Sequence, residues 1–232
     1  MSKILNRRGV LLGLAGLPLA AGCSQVMNLG DTLNLDYTTT GAIRPSISVD
    51  PNITDPEKMY AAISEGPYSL PAVPYQKVPA KYRRQIVPDR TGEAPGTIVV
   101  DTKEHLLYLT QPGGDAIRYG VGIGKAGFEW SGRAGIQYKK KWPVWTPPAE
   151  MIARRPELVK YTNGQEGGPT NPLGARALYI FKDGQDTLYR VHGSPEWWSI
   201  GQSMSSGCVR LINQDIIDLY ERVPAGAPIV VI

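Results

Sequence analysis

The chain has 232 residues, 42% hydrophobic and 20% charged, with a formal net charge of +4. That length supports one good core or two small ones, and 26 Gly and 20 Pro against 2 Phe is not the composition of a helical bundle. Two cysteines exclude a disulfide framework, two histidines exclude a His-rich metal cluster, and no apolar run reaches the ~18 residues of a bilayer-spanning helix.

Residues 1–23 read as an export signal. Lys3, Arg7 and Arg8 form a charged start, Val10 to Ala21 an apolar stretch, and Ala20-Ala21-Gly22 a run of small residues. Ending in Gly22-Cys23, the segment resembles a bacterial lipoprotein signal, in which Cys23 is lipidated and becomes the new N-terminus. Arg7-Arg8 also resembles a twin-arginine signal. Removing the segment takes away three of the 25 basic residues and no acid, leaving 22 against 21, a net of +1. Such a chain lacks the basic excess of a nucleic-acid binder.

Residues 24–95 hold nine prolines, from Pro45 to Pro95, and helical periodicity only around Glu57 to Ile63. This stretch reads as a partly ordered Pro-rich extension, with a reach of about 45–50 Å if flexible. The alternative is a collar wrapped around the domain that follows.

From Gly96 to Ile232 the pattern is mainly β. Thr97 to Asp101 and Leu106 to Thr110 are β-rich, Gln111 to Asp115 is a turn, and Ala116 to Ile123, Ala177 to Phe181, Thr187 to Val191 and Ile229 to Ile232 are further strand signals. Short strands at this spacing predict an antiparallel sandwich or barrel with one or two short helices. One helix is predicted over Asn213 to Val223, capped by Asn213, with Ile212, Ile216, Leu219, Tyr220 and Val223 as its buried stripe.

Gly120-Val121-Gly122-Ile123-Gly124-Lys125 looks phosphate-binding, but the required Ser/Thr is Ala126 and the first glycine is missing. Its alternating glycines fit close backbone approach better. Five tryptophans, Trp130, Trp142, Trp145, Trp197 and Trp198, are either core or ligand wall.

With Cys23 in the signal, Cys208 is the thiol of the mature chain, in Ser205-Ser206-Gly207-Cys208-Val209-Arg210-Leu211. In an oxidising compartment this suggests intermolecular pairing or a reactive thiol. A two-residue period puts Ser206, Cys208 and Arg210 on one face and Val209 and Leu211 on the other. Gly207 leaves room for a substrate, and the charge of Arg210 favours a thiolate. A thiol of pKa ~8.5 is little ionised at neutral pH, so a base is useful. His192 ends a strand signal, shares a face with Arg190, and lies sixteen residues before Cys208. His105 has no such company and is assigned no role.

Val191-His192-Gly193-Ser194 followed by Ser206-Gly207-Cys208-Val209-Arg210 resembles the signature of the L,D-transpeptidase (YkuD) family. The resemblance covers roughly Gly96 to Ile232 and includes Val121 to Lys125 and the Asn171-Pro172-Leu173-Gly174 turn. Ser206 departs from it, since many members carry histidine or arginine there. The resemblance implies a β-rich fold acting on peptidoglycan stem peptides, with Cys208 as nucleophile, His192 as base and the Gly193 carbonyl steadying the imidazole. The thiolate would attack the bond between the diamino acid and terminal D-alanine, and an amine would resolve the thioester into a 3–3 cross-link; resolution by water would give a carboxypeptidase. Gly207 and Cys208 N–H groups are candidate oxyanion donors, and Arg210 would hold a carboxylate or brace the loop. Trp142, Trp145, Trp197 and Trp198 are candidate walls keeping the thioester from water. No metal or organic cofactor is expected. Other acceptors are D-amino acids and envelope proteins, and a lipid on Cys23 would tether the chain to a membrane. Sortases space their histidine, cysteine and arginine differently, and papain-like enzymes reverse the order; a non-catalytic wall-binding lipoprotein is the rival from another class.

Overall fold

The computed structural model describes residues 51–124, 131–205 and 207–232. The export segment, Cys23, the extension up to residue 50, Trp130 and Ser206 lie outside them. Two short helices, α1 (Pro51–Thr54) and α2 (Pro56–Met59), come first, followed by a hairpin of β1 (Ile63–Glu65) and β2 (Tyr68–Leu70). Asp55 caps α2, its Oδ1 accepting the Glu57 N–H at 3.1 Å.

Nine further strands form one sheet. They are β3 (Gln85–Pro88), β4 (Ile98–Asp101), β5 (Leu106–Thr110), β6 (Asp115–Gly120), β8 (Gly132–Lys141), β9 (Arg176–Lys182), β10 (Gln185–Ser194), β12 (Val209–Ile212) and β13 (Pro228–Val231), in the order β12-β10-β9-β8-β13-β4-β5-β6-β3. β7 (Ile123–Gly124) and β11 (Ser203–Ser205) make a small separate ladder. The fold is mainly β, as the strand signals predict. The sheet is mixed rather than antiparallel: β10 and β12 run parallel, as do β13 and β4. Each of these pairs is joined by a connection long enough to return the chain to the same end of the sheet. The sheet also curls toward closure. The Gly122 N–H, just beyond β6, donates to the Arg210 carbonyl in β12 at 2.9 Å, and the Arg210 N–H donates back to the Gly122 carbonyl at 2.9 Å.

The core follows the two-residue period. Ile98, Val100, Leu107, Leu109, Ile136, Leu178, Ile180, Val191, Val209 and Leu211 pack with Ile216, Leu219 and Val223 from α4 (Asn213–Arg222). The helix carries its predicted buried stripe but not its predicted cap. Ile212 is the N-cap residue, and the Asn213 side chain is spent elsewhere, accepting the Ala175 N–H at 2.9 Å. At the other end Lys139 Nζ donates to the Tyr220 and Val223 carbonyls, both at 2.6 Å, meeting the helix's last acceptors with a cation. β8 has no counterpart in the sequence reading. Its run GRAGIQYKKK buries only Ile136 fully, so a central strand reads as a polar stretch.

Residues 51–95 pack along the sheet. Met59, Tyr60, Val73 and Val78 pack against Ile200 and Ile212, and β3 adds itself to the sheet beside β6. A Pro-rich segment with few backbone ladders of its own is still ordered when a neighbour supplies the apolar surface. Polar groups complete the joint. The Tyr60 hydroxyl donates to Asp215 Oδ2 at 3.3 Å and accepts the Arg84 N–H at 2.8 Å. The Arg84 guanidinium lies 3.6 Å from Asp215 Oδ1 and 2.8 Å from Asp218 Oδ1. Gly120 permits this contact, because a Cβ there would strike the backbone of Tyr82. The alternating glycines thus serve backbone approach, as their spacing predicts.

Candidate active site

β10 and β12 lie side by side with Val191 opposite Val209 and His192 opposite Arg210. The two valines are fully buried in the core, so the alternation turns His192 and Arg210 to the other face of the sheet. Cys208 immediately precedes β12, two residues from Arg210, and the same alternation carries it to that face beside Arg190. The charges of Arg190 and Arg210 act on both the thiol and the imidazole, as expected of groups sharing one neighbourhood.

His192 is only 5% exposed. Its Nδ1 donates to the Gly193 carbonyl at 2.6 Å, which fixes the tautomer and leaves Nε2 with its lone pair. Burial lowers the imidazole pKa to about 4, outweighing the Gly193 carbonyl, and the two arginine charges lower it further. Cys208 is half-buried. Burial pushes its thiol up, against the pull of the Arg190 backbone N–H and of the Arg190 and Arg210 charges. The Arg210 charge acts in the direction the sequence predicts, favouring a thiolate, but burial is the larger effect. Burial thus favours the neutral form of both groups.

The Gly193 peptide is itself wedged. A Cβ at Gly193 would meet Ile216 Cγ2 at 2.8 Å and collide with Asn213 Oδ1. Gly174, at φ +62°, presses on the Gly193 backbone from the other side. The turn that ends in Gly174 is held by Asn171, whose buried Nδ2 donates to the carbonyls of Pro143, Gln165 and Glu166 at 3.1, 3.0 and 3.1 Å, while its Oδ1 accepts the Leu173 N–H at 2.8 Å. Sequence reading gave neither Asn171 nor Asn213 a part in the site. The signal available was the turn itself, but its partner across the fold is not visible in one dimension.

Gly207 sits at φ +127°, a conformation that favours glycine, with the Tyr189 ring 3.1 Å from where a Cβ would be. Arg210 Nη1 donates to Glu196 Oε2 at 3.2 Å. Burial lowers the Arg210 pKa, and Glu196 opposes that effect.

The four described tryptophans divide into two pairs. Trp142 Nε1 donates to Glu65 Oε2 at 2.8 Å and its ring packs 4.3 Å from that of Tyr68, so it anchors the β1–β2 hairpin. Trp145 bridges Gln165 through its backbone and meets the edge of Tyr161. These contacts tie both residues into the scaffold. Trp197 and Trp198 line a cavity of about 230 Å³ with Val73, Pro195, Ile212 and Ser194. Ser194 follows His192 by two residues on the same strand, and Trp198 is 54% exposed at the rim.

A buried histidine pinned by a backbone carbonyl thus stands on β10 beside the strand that Cys208 leads into. A family model described as the YkuD L,D-transpeptidase catalytic domain matches residues 95–231. The chain belongs to that family. It is 37% identical over 147 residues to "Probable L,D-transpeptidase YbiS" of Escherichia coli (strain K12), covering 61% of this chain and 45% of that protein. It is 33% identical over 156 residues to "Probable L,D-transpeptidase ErfK/SrfK" of the same strain, covering 63% and 46%. The chain thus spans less than half the length of these relatives. Among solved structures, a Brucella melitensis protein described as a "Probable carnitine operon oxidoreductase caia" is 46% identical, covering 68% of this chain and 99% of that one at a TM-score of 0.47. Among the described residues no helix is long and apolar enough to cross a membrane.

Proposed function

We propose that this protein is a peptidoglycan L,D-transpeptidase with Cys208 as nucleophile and His192 as general base. Nε2 of His192 takes the proton from the Cys208 thiol as sulfur attacks the carbonyl carbon between the diamino acid and the terminal D-alanine of a tetrapeptide stem. N–H groups of Gly207 and Cys208 receive the developing oxyanion, a contribution of ~3–4 kcal/mol in comparable sites. Collapse breaks the C–N bond, and the departing D-alanine amine takes the proton from His192. The thioester is then attacked by the side-chain amine of a second stem, whose proton passes to His192 and returns to the sulfur as the C–S bond breaks. The product is a 3–3 cross-link. A neutral resting pair suits this sequence, because the proton moves only when a substrate is present to be attacked.

The observation that carries the reading is the parallel register of β10 and β12, which sets His192 opposite Arg210 and two residues from Cys208, together with the Nδ1 bond to Gly193 that frees Nε2. Trp197 and Trp198 serve as the wall that shields the thioester. Export through residues 1–23, with lipidation of Cys23, belongs to the same reading: it delivers the domain to the cell wall and ties it to a membrane.

D-Alanine release from a purified disaccharide-tetrapeptide tests the assignment. Wild type releases D-alanine with or without a cross-linked product. Cys208→Ala lowers release by at least about 10³-fold, and His192→Ala lowers it by about 10²–10⁴-fold. Undiminished release from Cys208→Ala eliminates the nucleophile, and an unaffected rate in His192→Ala removes the base.

A further inference from the structure

The face of the sheet that carries His192 also carries a band of aromatic rings and cations. Register sets Tyr138 of β8 opposite Tyr179 of β9, and Tyr179 opposite Arg190 of β10. One row along, Lys140 lies opposite Ala177, and Ala177 opposite His192. Leu178, Ile180 and Val191 turn to the core, so Ala177, Tyr179, Arg190 and His192 take the other face. A bulge between Ile136 and Tyr138 brings Tyr138 and Lys140 to that face as well. The contacts agree: the Tyr138 and Tyr179 rings stack with centroids 4.2 Å apart, and the Arg190 guanidinium lies 4.4 Å over Tyr179. Lys140 Nζ stands 5.7 Å from the Tyr179 ring and 5.8 Å from that of Tyr138.

The cations of this face are not equally provided for. Arg190 is forked onto Asp186 at 2.7 and 2.8 Å, and Arg210 has Glu196 at 3.2 Å. Lys139 and Lys141 reach the opposite side, to the carbonyls at the end of α4 and to Glu65 and Glu221. Lys140 is exposed, and among the described residues no carboxylate comes within ion-pair distance of it. Lys103 is equally exposed and also lacks an acid, but it lies in the turn between β4 and β5, outside these strands. Only rings steady the Lys140 ammonium, which orients the charge without neutralising it.

Cys208 leads into β12, so Tyr179 on β9 lies two strands away, about 9.4–9.8 Å at the backbone. A stem built on diaminopimelate carries two carboxylates on the side away from the leaving D-alanine. One is on the diaminopimelate side chain, the other on the α-carbon of the preceding glutamate. They lie six and seven bonds from the carbonyl carbon under attack, about two residues of extended chain, or ~7 Å. The Lys140 side chain leans toward the row of Arg190 and Cys208 and closes the remainder. We propose that Lys140, held over the Tyr138–Tyr179 pair, binds one of these donor carboxylates. This assignment rests on the transpeptidase reading above for its substrate, and it makes Lys140 a specificity-determining residue that disfavours stems amidated at that carboxyl.

Binding without turnover tests it. The full chain carrying Cys208→Ala is titrated by calorimetry with three tetrapeptide stems: unmodified, amidated on the diaminopimelate side chain, and amidated on the glutamate α-carboxyl. At least one amidation weakens binding about fivefold, the upper range of a partly exposed ion pair. Adding Lys140→Gln weakens the unmodified stem by the same factor and erases that penalty, and the penalty erased identifies the carboxylate. Lys140→Arg keeps the penalty, and Lys103→Gln changes nothing. Equal binding of the three stems to Cys208→Ala overturns the proposal, as does a stem that does not bind. So does a penalty that survives Lys140→Gln, or a loss that Lys103→Gln reproduces. D-Alanine release by wild type judges the transpeptidase reading separately: release with equal binding removes the Lys140 site alone, and no release removes the reading.

Discussion

Arg84 and Arg210 are both buried arginines, one at the joint between collar and sheet and the other at the candidate active site, and they are treated differently. Around Arg84 the ion network is dense: Asp215 at 3.6 Å, Asp218 at 2.8 Å, and Tyr60 and Tyr119 hydrogen-bonded to the same carboxylates. Around Arg210 there is one half-exposed carboxylate, and two nitrogens are left open. The first arrangement is what a structural charge needs in order to be buried. The second leaves the charge with one half-exposed counter-ion among the described residues. Both charges are desolvated and both arginines leave buried nitrogens without a hydrogen bond, so what differs between them is the number of carboxylates around the guanidinium.

The comparison is broken most strongly at the joint. Arg84→Ala leaves Asp215 buried without its counter-charge, while Asp218 keeps Arg222 at 2.9 Å, and costs about 3–5 kcal/mol, read as a drop in the urea midpoint at an unchanged slope. A loss below about 1 kcal/mol would mean that the network is not a structural one.

Two buried titrating groups sharpen the contrast by pulling stability in opposite directions. His192 has a folded pKa of about 4 against an ordinary 6.5. As pH falls through that window the unfolded chain binds a proton that the folded one refuses, so stability is lost. Burial raises Asp215 from 3.8 to about 7, partly offset by Arg84. The folded chain keeps a proton there that the unfolded chain releases, so stability is lost as pH rises from about 4 to 7. Asp215→Asn removes the second effect, and its stability should climb more steeply than wild type between pH 4 and 6.5, by up to about 1.4 kcal/mol per unit. His192→Gln should tilt the curve the other way. Parallel curves for wild type and Asp215→Asn would show that Asp215 titrates normally in the fold. The smallest change is Tyr60→Phe, which removes the acceptor for the Arg84 N–H and costs about 1–3 kcal/mol in the same urea assay.

Much of the site can be read in one dimension because it depends on strand alternation. Val209 and Leu211 go to the core and Arg210 and His192 do not, as the two-residue period requires. β5 (Leu106–Thr110) coincides with its sequence signal. What escapes is set by partners distant in sequence. Lys139 to Lys141 pair with Leu178, Ala177 and Arg176 of β9 although Lys140 and Lys141 stay exposed, so their residue types alone carry no strand signal. Asn213 has the chemistry of a helix cap, and only the approach of Ala175 shows why its oxygen is used elsewhere. The hydrogen bond from Trp142 to Glu65, 77 residues away, is likewise set by a distant partner. The thiol's ionisation is hidden for the same reason, since the burial that outweighs Arg210 is a property of the fold.

The central claim is that Cys208 carries the acyl group. Intact-protein mass spectrometry of the full chain, quenched during reaction with a disaccharide-tetrapeptide, reads it directly. The account predicts a mass increase equal to the donor less D-alanine, localised to Cys208 by peptide mapping and absent in Cys208→Ala. D-Alanine accumulating while the thiol stays unmodified in rapidly quenched samples, or the same adduct found on another residue, would contradict it.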